Sequence, residues 1–331
     1  LNYEYMKEYL VRTNAAADVR ALSKLDMARA LNLISESDYG GYRARNFAVL
    51  MFADRPADFI PFAYVQVIRE AIGTDKMEGK IFDGPIWIQA QQVIQYFKDV
   101  FHASYNIRDP RTNATHVVDN WPPIMFAELA TNCILHKEYS KHNCVEISVY
   151  KDHISFINHN RPLPPVTIED LNTKMEFKDR KYLNDELKEM FFKLDLIQSY
   201  GSGIRRAKNE LIRIGSPALV FEPDNDTDDY TAVTAYINGE FAEVQREEAN
   251  LKGAPAQEIA QETAQERYEE LSDEEKIIVL IRNNPRITRN DLAVRLNISS
   301  DAVKRRLDKL KKSGRIEHRG STKAGKWVVL K

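Results

Sequence analysis

The feature that most constrains this chain is the order in which apolar spacing changes across residues 271–331. The segment SDEEKIIVLIRNN opens with Ser272 at a helix N-cap position and acids in the first turn. It then sets Ile277, Ile278, Leu280 and Ile281 along one stripe. Thr288 and Asp291 start a second, shorter helix whose Leu292, Ala293 and Leu296 face inward. After Ile298 and Ser299, Val303, Leu307 and Leu310 recur at i, i+4 and i+7 of a third. Gly314 ends that helix, and RIEHRG (Arg315–Gly320) and KWVVL (Lys326–Leu330) alternate as strands joined by STKAG. Helix, helix, turn, helix and hairpin is the pattern of a winged helix-turn-helix.

Charge sharpens this reading. The whole chain carries -2, yet residues 271–331 hold sixteen Lys/Arg against seven Asp/Glu, and residues 240–270 hold three against nine. A basic module behind an acidic stretch points to a polyanionic partner, and on this fold to double-stranded DNA. A charge run alone is more often a solvated helix face. Here it lies on the outer face of a complete module, with Asp301, Arg305, Lys309 and Lys312 opposite the apolar seam. Lys304 and Arg305 are expected at base edges, and Lys309, Lys312, Arg319, Lys323 and Lys326 at phosphates or flanking positions.

Upstream, 331 residues allow two or three domains. Residues 240–270, rich in Glu, Gln and Ala, read as an acidic linker with a helical tether in the second half. Residues 115–239 read as an α/β layer domain with helices at Pro122–Tyr139, Asp185–Asp195 and Gly203–Ile214. Its strands are expected at Cys144–Tyr150, His153–Asn158, Ala218–Phe221 and Tyr230–Ile237. Residues 1–114 form an N-terminal α/β segment with strands at Phe62–Glu70 and around Lys80–Phe82, and a helix over Ile86–Phe101. The fold class is therefore α+β. No apolar run is long enough for a membrane span, and two cysteines, Cys133 and Cys144, make no disulfide framework, so the chain reads as cytoplasmic.

One helix carries chemistry. In FAELATNCILHKEYS, Glu128, Asn132 and His136 are spaced by four and share a face. A carboxylate one turn before an amide suits water activation beside a metal-held phosphate, the Glu taking the proton and the Asn oxygen coordinating Mg²⁺. An exposed polar stripe has the same spacing. No G-x-x-x-x-G-K-[ST] phosphate loop occurs, which argues against a helicase motor.

ELATN followed by HKEYS resembles the "REALVNAIVHRDYS" signature of a bacterial regulator family known as RecG-related. FINHNRPLP (Phe156–Pro164) is similar to its "I-x-N-P-G-x-L-P" turn, and LIQSYGSGIRR (Leu196–Arg206) to its "IE-x-x-GTGI-x-R". The resemblance covers nearly the whole chain. It implies a body resembling the GHKL ATPases, with a Schlafen AlbA-type domain before Leu1. It also implies ATP and Mg²⁺ as cofactors, Glu128 as general base, Asn132 as the magnesium ligand and His136 beside the nucleotide. Gly201, Ser202 and Gly203 would then meet phosphate, with Asn158 at the base-reading turn. GHKL ATPases place an aspartate and glycines in that turn, whereas this chain has Asn158, His159, Asn160 and Arg161. The expected nucleotide site is thus a degenerate one. The function expected is a DNA-binding transcriptional regulator that pairs as a homodimer and answers an unknown effector; a magnesium-dependent ATPase on DNA and a protein scaffold are the alternatives.

Overall fold

The computed structural model describes residues 1–70, 77–108, 113–177, 179, 181–198, 202–225, 227–252, 272–283, 285, 287–296, 298–319 and 326–330. They fall into two units, Leu1–Ala256 and Gln257–Lys331. The first begins with α1 (Tyr3–Arg12), α2 (Ala17–Arg20), α3 (Lys24–Ala30), a hairpin of β1 (Ile34–Glu36) and β2 (Tyr42–Ala44), and α4 (Asn46–Phe52). Then come β3 (Val65–Glu70), β4 (Met77–Phe82), α5 (Ile86–Val100) and a second hairpin, β5 (Ser104–Arg108) with β6 (Thr115–Asp119). α6 (Pro123–His136), β7 (Val145–Val149), β8 (His153–Asn158), α7 (Ile168–Thr173) and α8 (Asp185–Lys193) follow. α9 (Gly203–Arg213), β9 (Val220–Glu222), β10 (Thr231–Tyr236) and α10 (Gly239–Lys252) complete it.

Six strands make one mixed sheet in the order β4-β3-β7-β8-β10-β9, with β3 and β7 parallel and every other neighbour antiparallel. Strand alternation sorts its faces. Val67, Ile147, Phe156, Val233 and Phe221 stand opposite one another in a continuous row, while the next row, Gln66, Glu146, Ile157, Ala232 and Glu222, belongs to the other face. The apolar row receives α6, whose Phe126 lies 5.3 Å from the Phe156 ring and stacks at 4.0 Å on Phe97 of α5. Because β3, β4 and α5 supply part of this sheet and core, residues 1–114 and 115–239 share one apolar interior.

The stretch read as linker differs in its first half. Gly239–Lys252 is helix, and its Phe241 is buried with its ring 4.7 Å from that of Tyr105 on β5. One aromatic anchor and the cap Asn238, whose Oδ1 accepts from the Phe241 N–H, outweigh a composition that otherwise reads as solvated. The expected helical tether over the second half lies outside the described residues.

The second unit contains helices Asp273–Asn283, Arg289–Leu296 and Ser300–Lys312, then β11 (Ile316–Arg319) paired antiparallel with β12 (Lys326–Val329). Ser272 and Glu275 form a reciprocal cap on the first helix, and Ser299 caps the third by accepting from the Ala302 N–H. Ile277, Ile281, Leu292, Val303, Leu307 and Leu310 form its core. Gly314 takes φ +67°, and the Arg315 N–H donates to Leu310 O, closing the third helix before the wing. No described helix is long and apolar enough to cross a membrane.

Candidate functional site

The end of α6 determines how the site is built. A helix leaves its last carbonyls without intrahelical donors. Asn160 donates from Nδ2 to His136 O at 2.9 Å, and Asn184 donates to both Leu135 O and Lys137 O at 3.0 Å. Asn160 also accepts the Glu138 N–H through Oδ1, so the turn after β8 is tied to the helix end. The Asn160 side chain is thus spent on backbone groups of α6.

Between α6, α9 and the apolar face of β8, β9 and β10 lies a cavity of about 170 Å³, far above the roughly 15 Å³ that one water needs. Asn132, His136, Asn158 and Gly203 line it together, with Phe156, Val233 and Tyr182 among the apolar and aromatic walls. The His136 ring stacks on Tyr182 at 5.2 Å, and burial lowers its pKa to about 4, so it is neutral at pH 7. Asn158 is only 7% exposed, and its Oδ1 has no hydrogen-bond partner among the described residues. Ser202 Oγ, at the start of α9, is also buried without one.

The polar corner is held tightly. Glu128 Oε1 accepts from Arg206 Nη1 at 2.5 Å. Burial raises the Glu128 carboxyl above its ordinary pKa, against the opposing pull of Arg206. A Cβ on Gly203 would sit 2.7 Å from Glu128 Oε2 and 3.3 Å from Asn132 Nδ2. The opening turn of α9 therefore rests directly on the two candidate residues of α6. Glu128 and Asn132 of α6 and Gly203 of α9 are brought together; Gly201 lies outside the described residues. Arg206 was not singled out from sequence. Its signal was its place three residues after Gly203, one turn along the same helix face.

The donor set suits a nucleotide in part. An unpartnered acceptor at Asn158 suits an amino group, and a single amide at Asn132 suits a magnesium ion that takes its other ligands from phosphate and water. Among the described residues no cluster of three or more His, Cys, Asp and Glu forms a metal site of its own.

In the second unit, Lys304, Arg305 and Lys312 of the third helix and Lys326 of the wing are exposed and make no ion pair among the described residues. Lys309 pairs with Glu274 at 2.9 Å, and Arg319 pairs with Glu317 at 2.9 Å. Lys323 lies outside the described residues.

Two protein-family models match these units. Residues 142–234 match the one described as "Putative ATP-dependent DNA helicase recG C-terminal", and residues 274–317 match "Winged helix-turn-helix DNA-binding". The first unit therefore contains an ATPase-type domain similar to the RecG C-terminal one, and the second is a winged helix-turn-helix of DNA-binding type. No curated protein matches the chain. Among solved structures, the DIP2311 protein from Corynebacterium diphtheriae aligns with 99% of this chain at 12% identity and a TM-score of 0.50, a likeness of fold. This chain spans 60% of that protein's solved chain.

Proposed function

We propose that this chain is a DNA-binding transcriptional regulator whose ATPase-type body takes a nucleotide as effector. The observation that carries the effector reading is the buried, unpartnered Oδ1 of Asn158 in the cavity wall. An acceptor left bare in such a place costs about 1–3 kcal/mol, which a ligand donor removes, and the amino group of adenine is such a donor. Asn132 would hold a magnesium ion, and the backbone N–H groups opening α9 would meet phosphate. The ion supplies neutralisation of phosphate charge. Glu128, engaged by Arg206, would be the group that accepts a proton. The reading is accordingly tight binding with slow turnover, in which occupancy of the cavity, not hydrolysis, is the signal.

Calorimetry of the full chain with ATP and Mg²⁺, beside fluorescence anisotropy on duplex DNA, tests both halves. Binding heat that disappears in Asn132→Ala and Asn158→Ala, with DNA affinity altered by nucleotide, supports the proposal. Absence of heat overturns the effector. DNA affinity that is identical with and without bound nucleotide overturns the coupling.

A further inference from the structure

We propose that β4 is a self-complementary sheet edge through which two copies of this chain pair. β4 ends the six-stranded sheet and is paired only with β3 among the described residues. A strand in that position presents backbone N–H and C=O groups to any strand laid beside it. Native edges are commonly guarded by charges that an incoming strand must match; MEGKIF, Met77–Phe82, carries one of each sign, beside exposed apolar residues. Met77 is 48% and Ile81 57% exposed.

Symmetry selects both the partner and the register. A two-fold that extends the sheet antiparallel stands perpendicular to it, so residues opposite each other share a face. The axis then passes through one residue, and the central choices are Glu78, Gly79 and Lys80. An axis at Glu78 sets two carboxylates together, and an axis at Lys80 sets two ammonium groups together; both are destabilising. The axis at Gly79 sets Met77 against the second copy's Ile81 and Glu78 against its Lys80, each twice, with glycine on the axis. Glu78 already pairs with Arg69 across the β3–β4 ladder at 2.6 Å, so the incoming ammonium extends a row of alternating charge. Lys80 lies over the Tyr96 ring at 4.0 Å, on the helix-covered face, which leaves Met77 and Ile81 to make an apolar seam on the open face. A second copy is thus matched in charge and in apolar contact by the same five residues, Met77–Ile81. Such a dimer carries two winged helices, as a two-fold DNA site requires.

The pairing needs neither DNA nor nucleotide, so its failure is separate from that of the proposed function. Sedimentation equilibrium of the full chain is expected to give twice the 38.2 kDa chain mass. Met77→Glu and Ile81→Lys each put a charge against an apolar residue twice per dimer and should weaken it at least ~tenfold. The double variant sets opposite charges across the seam and should recover the dissociation constant to within about threefold. Both positions are exposed, and matched thermal unfolding of the variants checks the fold. Gly79→Cys provides a second readout. Opposed Cα atoms in an antiparallel pair lie about 4.5–5.5 Å apart, within disulfide reach, so oxidation should give a covalent dimer that Phe59→Cys does not. A wild-type monomer overturns the proposal. So does a dimer insensitive to both single variants, a double variant without recovery, or the absence of the Gly79→Cys cross-link.

Discussion

Asn160 and His136 show why single residues of this site were only half legible. Their spacing and motif positions could be read from sequence, because helical period places Asn132 and His136 on one face. What could not be read was the direction in which each polar group spends its hydrogen bonds. Asn160 turns to the end of α6, whereas Asn158, two residues earlier, keeps an acceptor bare in the cavity. That difference depends on a helix end more than twenty residues away in sequence. His136 yields a prediction at this scale. Its pKa is 6.5 unperturbed and about 4 in the folded chain, because burial disfavours the charged ring. The unfolded chain then binds the extra proton between those values. Stability from this group is complete above pH 6.5 and is lost as pH falls toward 4. Denaturant unfolding of wild type and His136→Phe across that window should show a steeper loss in wild type, since phenylalanine keeps the stack on Tyr182 without titrating. Parallel pH curves for the two would remove the ring's role.

Between elements, the decisive contact is the first turn of α9 against α6. The sequence marks both helices through their apolar spacing, and the GSG string marks where the second begins. Spacing does not reveal that they approach closely enough to exclude a methyl group. Gly203 has no left-handed backbone angle to explain it; its absence of Cβ is what allows contact with Glu128 and Asn132. Glu128 cannot swing away cheaply, because Arg206 holds it from the same helix. Gly203→Ala should therefore cost about 1–3 kcal/mol through displacement of α9, against the gain that alanine normally brings inside a helix. Gly239, at the start of α10, has nothing within 4 Å of its Cβ position, and Gly239→Ala is the matched control that should not destabilise. Chemical denaturation of both variants measures the difference. Equal stability for the two would mean that α9 is seated less tightly than the distances indicate.

At the scale of the whole molecule, a net charge of -2 conceals a basic unit, and that division was plain in the sequence. The sequence did not separate the cations held by neighbours from those left to solvent. Lys309 and Glu274 lie thirty-five residues apart and meet only because the first and third helices pack together. This sorting sets an order of effects on DNA binding. Each phosphate contact by an unpaired cation releases counterions, so its loss should flatten the slope of log K against log salt by about 0.9. Lys312→Ala and Lys326→Ala should each do so while weakening all duplex sequences alike. Lys309→Ala should do less, because Glu274 already offsets part of its charge. Glu274→Gln should strengthen binding and steepen the slope, by freeing Lys309 and removing a carboxylate from the basic unit. Exposed pairs contribute under about 1 kcal/mol to stability, so these variants should fold as wild type does and any change in affinity can be read directly. Anisotropy titrations of the full chain over a salt series check the order. If Lys309→Ala proves as damaging as Lys312→Ala, the Glu274 contact does not persist when DNA is near.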